Sequence, residues 1–442
     1  MLLFFSFLLG LLYVFITPPW QAPDEFTHYE YIDILSRSNL FKIKQAPDYD
    51  LQKEIIQSMD QFNLWNYVFE KPPSTLPEKY EDSEVLEKSL LKINRPPLYY
   101  MLGSLLLKVF KTENLLVKHY MIRIFSLFLS MFTILFTFFS AKIVFKGDFV
   151  YSVLAAGFIA FLPQFLIVSG SINSDNLENL IGAGSLYAFL YALKNFRKYS
   201  VFLIFPFLFL IIFFSGVKNF FIIPAFVFFC VLWLLKNKSF LRSRIFIFLG
   251  GAVSLLVIGF LFLFIVFNEL GMRIMENFIE PLKFFWVQFF SENYQMIFSK
   301  AYMVTFFKSF WCYPGWMAFP LPNIIYSILA LVFGLGLAGI VKYCFVCQFK
   351  NKRKSCVRAE FMVILIVFVL FSLVQALFRA HPMARYLFPS LSAVALLFAV
   401  GLREIFPLES RKKVTISFVL SLIALNIYTV FVFMIKVFYF RF

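Results

Sequence analysis

Two adjacent carboxylates, Asp24 and Glu25, and an imidazole, His28, follow directly on a wholly apolar stretch, Met1 to Ile16. The segment reads Pro18-Pro19-Trp20-Gln21-Ala22-Pro23-Asp24-Glu25-Phe26-Thr27-His28. A carboxylate within reach of a hydroxyl or amide can take its proton as general base. A second carboxylate can raise its neighbour's pKa, or help hold a divalent cation through oxygen ligands. Arg95, Arg123 and Arg385 supply complementary chemistry, because a planar guanidinium makes paired hydrogen bonds to phosphate. Asp175, in the short stretch Ser169 to Asn176, adds a third acid. Acids and arginines at one membrane face fit group transfer from a lipid phosphate. The acid activates the acceptor, and the guanidinium stabilises charge on the departing phosphate. Glycosyl transfer, with its oxocarbenium-like state, uses carboxylates in the same way.

Each group has a structural rival. Asp24 is placed to cap a helix starting near Phe26, and Asp175 to cap a later one. His28 falls four residues after Asp24, on the same helical face, where a structural hydrogen bond would suffice. Arg95, Arg123 and Arg385 could each be interfacial anchors.

Membrane spans must position these groups. The 442 residues are 61% hydrophobic and 15% charged, whereas soluble domains run about 45–50% apolar and about 25% charged. The expected fold is all-α, a single polytopic integral membrane domain over residues 1–442. Eleven apolar runs are long enough for a core of about 30 Å. They lie near 1–17, 119–141, 149–168, 177–193, 200–217, 219–235, 245–267, 320–341, 361–378, 386–402 and 414–435. Met1 to Ile16 lacks a basic leader and a small-residue cleavage site, so it reads as an uncleaved first span.

Pro96 to Phe110 is ambiguous, and charge decides it. Leaving it out puts the basic loops at 142–148, 194–198, 236–244, 342–360 and 403–413 on one side, each with net positive charge. The opposite side then holds residues 18–118, with twelve Lys or Arg and fifteen Asp or Glu. The positive-inside bias therefore makes the amino terminus cytoplasmic, and Pro96 to Phe110 an interfacial or re-entrant helix outside. Two large extracytoplasmic loops result: 18–118, containing interfacial helices, and 268–320, rich in aromatics. All the candidate groups gather on that outer face.

The net charge of +16 resides in these short loops and not in a soluble basic stripe, which argues against nucleic acid. Cys344, Cys347 and Cys356 have part of a zinc-site spacing but no fourth ligand, and small apolar packing explains them. None of these spans carries a charge at its centre, which counts against an ion-coupled transporter.

The order of these motifs resembles the GT-C superfamily of polytopic glycosyltransferases, which includes protein O-mannosyltransferases and lipid A aminoarabinose transferases. The features are the first span, Pro23-Asp24-Glu25-x-x-His28, Arg95-Pro96-Pro97-Leu98-Tyr99-Tyr100, Arg123, Pro163 and Asp175. A nearer likeness is to a branch of bacterial membrane proteins pairing Pro-Asp-Glu-x-x-His with a late Arg-Tyr-x-x-Pro, here Arg385-Tyr386-Leu387-Phe388-Pro389. The resemblance implies Asp24 as general base, with Glu25 supporting it. It makes Asp175 an assisting acid or, with Asp24, a ligand for a divalent cation such as magnesium or manganese. It sets Arg95, Arg385 and Tyr386, with His28, around the donor phosphate and substrate. It departs from the larger relatives in having no carboxy-terminal soluble domain after the last span.

The expected activity is a glycosyltransferase in the bacterial cytoplasmic membrane. It takes a sugar from a polyprenyl-phosphate carrier to an extracytoplasmic glycan, lipid or protein acceptor. The alternatives are a lipid or polysaccharide transporter, which needs functional charges at mid-depth, and a non-catalytic protein of envelope assembly.

Overall fold

The structure is a computed structural model that describes residues 1–38, 46–65, 75–83, 86, 98–195, 221–236, 299–349, 357–377 and 382–440. The first apolar helix, α1 (Leu2–Ile16), leads into the polar pair α2 (Glu25–Arg37) and α3 (Tyr49–Gln61). A short apolar helix, α4 (Leu98–Phe110), precedes the long α5 (Leu115–Val144). Next come α6 (Phe149–Ala160) and α7 (Pro163–Ser169), then α8 (Asp175–Lys194) and α9 (Ile222–Lys236). They are followed by α10 (Lys300–Trp311), α11 (Asn323–Phe349), α12 (Ala359–Leu377) and α13 (Leu391–Ile405). Finally α14 (Arg411–Ile427) runs through a π-helical stretch, Tyr428–Met434, into α15 (Ile435–Tyr439). No strand occurs among the described residues, so the all-α expectation holds for them.

Five units are long and apolar enough to cross a membrane: 115–144, 323–345, 359–377, 384–405 and 408–439. The pair α6–α7, bent by 59°, makes a sixth if counted as one broken span. The described residues therefore show five or six candidate spans where the apolar runs predict eleven. Some of the difference has a physical cause. α1 has 15 residues, or about 22 Å at the helical rise, short of a full span. α8 is long enough but opens on the polar residues Asp175, Asn176, Glu178 and Asn179. The runs 200–217 and 245–267, and most of the loop 268–320, lie outside the described residues. α4 has 13 residues, short for a span, and packs along α2.

The break between α6 and α7 comes at Pro163, which has no N–H to continue the helix. It frees carbonyls that hydrocarbon cannot hydrate, and neighbouring helices supply donors. Ser6 Oγ of α1 donates to the Ala160 carbonyl at 2.9 Å, and Asn426 Nδ2 of α14 donates to the Phe161 carbonyl at 2.7 Å. Tyr13 Oη then donates to Asn426 Oδ1 at 2.8 Å. One amide thus ties the first and last long helices to the bend.

α11 and α13 meet at glycines. A Cβ on Gly339 would lie 2.0 Å from the Gly401 carbonyl oxygen, so only glycine permits this approach. At the end of the bundle away from the acids, basic side chains cap helix carboxy-termini. Arg358 Nη2 donates to the Leu193 carbonyl at 3.1 Å and Lys342 Nζ to the Glu404 carbonyl at 2.7 Å.

Candidate functional site

The site is built where α1, α5, α8 and α13 end or begin at one face. The turn after α1 is strained: Trp20 has φ +70° and Asp24 φ +64°. A left-handed conformation is unusual for a bulky residue such as tryptophan, while aspartate tolerates it better. Burial holds Trp20 there. Its ring packs on Tyr29 and His119, and its Nε1 donates to Ser58 Oγ at 3.1 Å. Asp24 does sit at the N-cap of α2, but its side chain makes no capping hydrogen bond. Capping therefore does not account for this carboxylate, a quarter of which is exposed.

Glu25, the next residue, turns fully into the protein. Its oxygens accept from Arg123 Nε at 2.8 Å and Nη2 at 2.7 Å, and Oε1 also accepts from the Ile172 N–H at 3.0 Å. Arg123 Nη1 donates to the carbonyls of Val14 and Thr17, and Nη2 to that of Pro18. All five guanidinium N–H groups thus have an acceptor. Burial alone would push the Glu25 carboxyl up. The Arg123 guanidinium, and then His119, outweigh burial and hold it well below the usual carboxylate range. Expected as a support for the base, Glu25 is committed to joining α1, α2, α5 and the loop before α8. Arg123 is committed to the same joint.

Asp175 occupies the first turn of α8, where the helix dipole favours a negative charge. It is buried, and its N–H donates to Asn173 Oδ1 at 2.9 Å. The loop before it is pinned by Tyr99 Oη, which accepts from the Asn173 N–H at 3.1 Å and bonds Ser126 Oγ at 2.7 Å. Arg385 comes from the opposite wall, on the 3-10 segment Ala384–Ser390. Ser309 Oγ fixes that segment by donating to the Pro382 carbonyl at 3.0 Å and accepting from the Ala384 N–H at 2.9 Å. The segment lies directly on α8. A Cβ on Gly182 would meet the Pro389 carbonyl oxygen at 1.9 Å.

The structure thereby brings Asp24, Asp175 and Arg385 together. Arg385 Nη2 lies 4.0 Å from Asp24 Oδ2, and its Nε lies 3.7 Å from Asp175 Oδ2. Both separations are ion-pair distances beyond hydrogen-bond length. Arg385 Nε is buried without a hydrogen-bond partner among the described residues. The guanidinium is attracted to both acids and bonded tightly to neither.

The other expected site residues fall elsewhere. His28 is buried against α4, with its Nδ1 2.9 Å from Tyr100 Oη and its ring stacked on Tyr100. Tyr386 carries the Arg385 guanidinium 5.6 Å from its ring centroid but does not line the neighbouring cleft. Arg95 lies outside the described residues, as do Arg379 and His381.

A narrow cleft with about 40 Å³ of interior room, part of it open to solvent, adjoins Arg385. Gln21, Pro23, Gln164, Ser171, Met317 and Met434 are among its lining residues. Sequence reasoning missed Gln21 and Gln164. A polar amide inside the apolar run 149–168 was the available signal for Gln164. It also missed the buried Glu178 and Asn179 in the second turn of α8.

A metal fits this arrangement poorly. The space between Asp24 and Asp175 is taken by the Arg385 guanidinium, whose positive charge would repel a divalent ion. Among the described residues no group of three or more His, Cys, Asp or Glu could hold a metal ion.

Residues 7–394 match a family described as predicted membrane protein (DUF2142). The chain belongs to this family. The matched stretch includes Asp24, Glu25, Arg123, Asp175 and Arg385, the whole ionic framework of the site. No curated protein and no solved structure matches the chain.

Proposed function

We propose that this DUF2142 protein is a membrane glycosyltransferase that moves a sugar from a polyprenyl-phosphate carrier to an acceptor hydroxyl or amide. The observation that carries the reading is the division of the acid pair. Asp24 keeps a partly exposed carboxylate, makes no capping bond and lies 4.0 Å from Arg385. Glu25 is wholly occupied by Arg123. Asp24 is the more exposed of the two acids, and the Arg385 guanidinium beside it brings the positive charge that a departing phosphate needs.

In the proposed step the acceptor oxygen or nitrogen attacks the anomeric carbon of the sugar. The bond from that carbon to the carrier phosphate oxygen breaks, and the acceptor proton passes to Asp24. The electron pair leaves with the polyprenyl phosphate, whose added charge Arg385 stabilises. Asp175 attracts Arg385 from 3.7 Å, and no step passes through a metal. By resemblance, Arg95 and Tyr386 also serve the donor. The net positive charge of the loops at the opposite end supports an extracytoplasmic site in a bacterial cytoplasmic membrane.

Asn tolerates the left-handed backbone of position 24, so Asp24→Asn tests chemistry with the fold preserved. Transfer of radiolabelled sugar from a lipid carrier is expected to fall about 10²- to 10⁴-fold, the usual contribution of a general base. Full activity of the variant would remove Asp24 from the mechanism. Sugar movement across vesicles without release of polyprenyl phosphate would support a transporter instead.

A further inference from the structure

Gln21 stands three residues before Asp24 and lines the same cleft as Arg385. It is 1% exposed, and neither its Nε2 nor its Oε1 has a hydrogen-bond partner among the described residues. Buried carboxamides are almost always paired, because desolvating donors and acceptors without replacement is costly. An apolar side chain of equal length would fill this wall without that cost.

The amide also stands on a rigid base. Its backbone N–H donates to the Pro18 carbonyl at 3.3 Å. The preceding Trp20 is held in its left-handed conformation by packing and by Ser58. A second cleft residue, Gln164, has its oxygen fixed by the Tyr313 N–H at 2.6 Å, which leaves its amide nitrogen as a donor. The cleft wall beside Arg385 therefore carries polar groups that the ionic framework does not use.

We propose that Gln21 reads the group being transferred. Its carboxamide would donate to one hydroxyl of the sugar and accept from the adjacent one, orienting the ring for attack at the anomeric carbon. A carboxamide presents donor and acceptor side by side, which matches a vicinal pair of hydroxyls. This inference rests on the glycosyl-transfer reading and extends it: the substrate is a hexose with two free adjacent hydroxyls. Gln21 is then a specificity-determining residue, distinct from the proton acceptor Asp24.

The test uses the full chain in lipid nanodiscs, with Gln21→Met as the variant. The probes are short-chain polyprenyl-phosphate glucose, mannose and galactose, their singly deoxygenated analogues, and bare polyprenyl phosphate. Wild type is expected to bind at least one intact hexose carrier about tenfold or more tighter than the bare carrier, and to discriminate against the analogue lacking one of the paired hydroxyls. Gln21→Met is expected to lose that discrimination, with kcat/KM for the preferred donor down by about 10²-fold, the scale of a lost orienting contact. Its thermal stability should equal or exceed that of wild type, because an unpaired buried amide is gone. A purely structural role for Gln21 would lower stability in Gln21→Met and leave discrimination untouched.

The two readings fail separately. Selective binding of an intact hexose carrier without transfer would end the enzyme assignment and leave the Gln21 proposal standing. Transfer with unchanged discrimination in Gln21→Met would end the proposal and leave the enzyme standing. Equal binding of every hexose carrier and the bare carrier by wild type would also overturn the proposal.

Discussion

Glu25→Gln separates the two neighbouring acids more sharply than any other substitution. Glu25 accepts two charge-assisted hydrogen bonds from Arg123, at 2.8 and 2.7 Å, with both side chains fully buried. Glutamine keeps the shape and one oxygen, but its amide would oppose Arg123 N–H groups with N–H groups of its own. The guanidinium then remains buried and uncompensated, a situation that costs about 3–5 kcal/mol. The carbonyls of Val14, Thr17 and Pro18 depend on the same guanidinium, so loosening it also frees the end of α1. Asp24→Asn, one residue away, is expected to cost clearly less, since the Asp24 side chain does not cap α2 and Arg385, 4.0 Å from it, keeps Asp175 as a counter-charge. The assay is reversible unfolding in mixed detergent micelles, run on both variants and on wild type. Glu25→Leu combined with Arg123→Met should be more stable than either single change, because removing both charges leaves neither unpaired. The acid limb gives a second readout. The folded Glu25 carboxyl lies below its ordinary value of 4.5, so its stabilisation is present above that pH and is lost as pH falls below it. Glu25→Gln should lack that part of the acid dependence. A Glu25→Gln protein as stable as wild type, or an Asp24→Asn protein as unstable as Glu25→Gln, would refute the division of roles.

Two further outcomes follow from the packing around the site. Burial pushes the Glu30 carboxyl up to about 7, against the opposing hydrogen bonds from Gln52 and the Asp48 N–H. The folded state holds this proton more tightly than the unfolded chain, so stability falls as pH rises from about 4.5 through about 7 and is level above. Keeping the buried group charged at pH 8 costs about 3 kcal/mol, and Glu30→Gln should unfold later at pH 8 but not at pH 4; equal midpoints at pH 8 would contradict this. Gly182→Ala puts a methyl 1.9 Å from the Pro389 carbonyl oxygen, where only backbone movement can relieve it. It should cost about 1–3 kcal/mol and lower the proposed sugar transfer by displacing Arg385, whereas unchanged activity would show that the segment tolerates the shift.

Much of the scaffold was legible as apolar run length. α5 and the stretch from α14 to α15 appear where hydropathy puts them, because twenty or more apolar residues have few alternatives to a helix in lipid. α8 reads as a span by length, yet its polar first turns are buried in protein at the site, and hydropathy alone cannot tell burial in protein from burial in lipid. The ionisable candidates were visible as residue types, but their partners were not. Glu25 meets Arg123 across 98 positions, and His28 meets Tyr100 across 72. No periodicity encodes such pairings, since they depend on how loops fold over helix ends. The same limit hid Gln21, whose significance lies in hydrogen bonds it does not make.

The divergence of Asp24 and Glu25 has a local cause in the backbone. Continued helix would place consecutive side chains about a hundred degrees apart on one cylinder, both near the same helix end. The left-handed conformation at Asp24 instead breaks that spacing immediately before α2 begins at Glu25. Glu25 then points into the joint with Arg123, while Asp24 remains beside Arg385. Holding Trp20 and Asp24 at positive φ costs of order 1–3 kcal/mol each, and the buried Trp20 packing and the Glu25–Arg123 joint are the contacts that offset it. The strained backbone is what sets Asp24 beside Arg385 while Glu25 turns inward. Trp20→Ala should therefore relax the turn and impair the proposed transfer before it unfolds the protein.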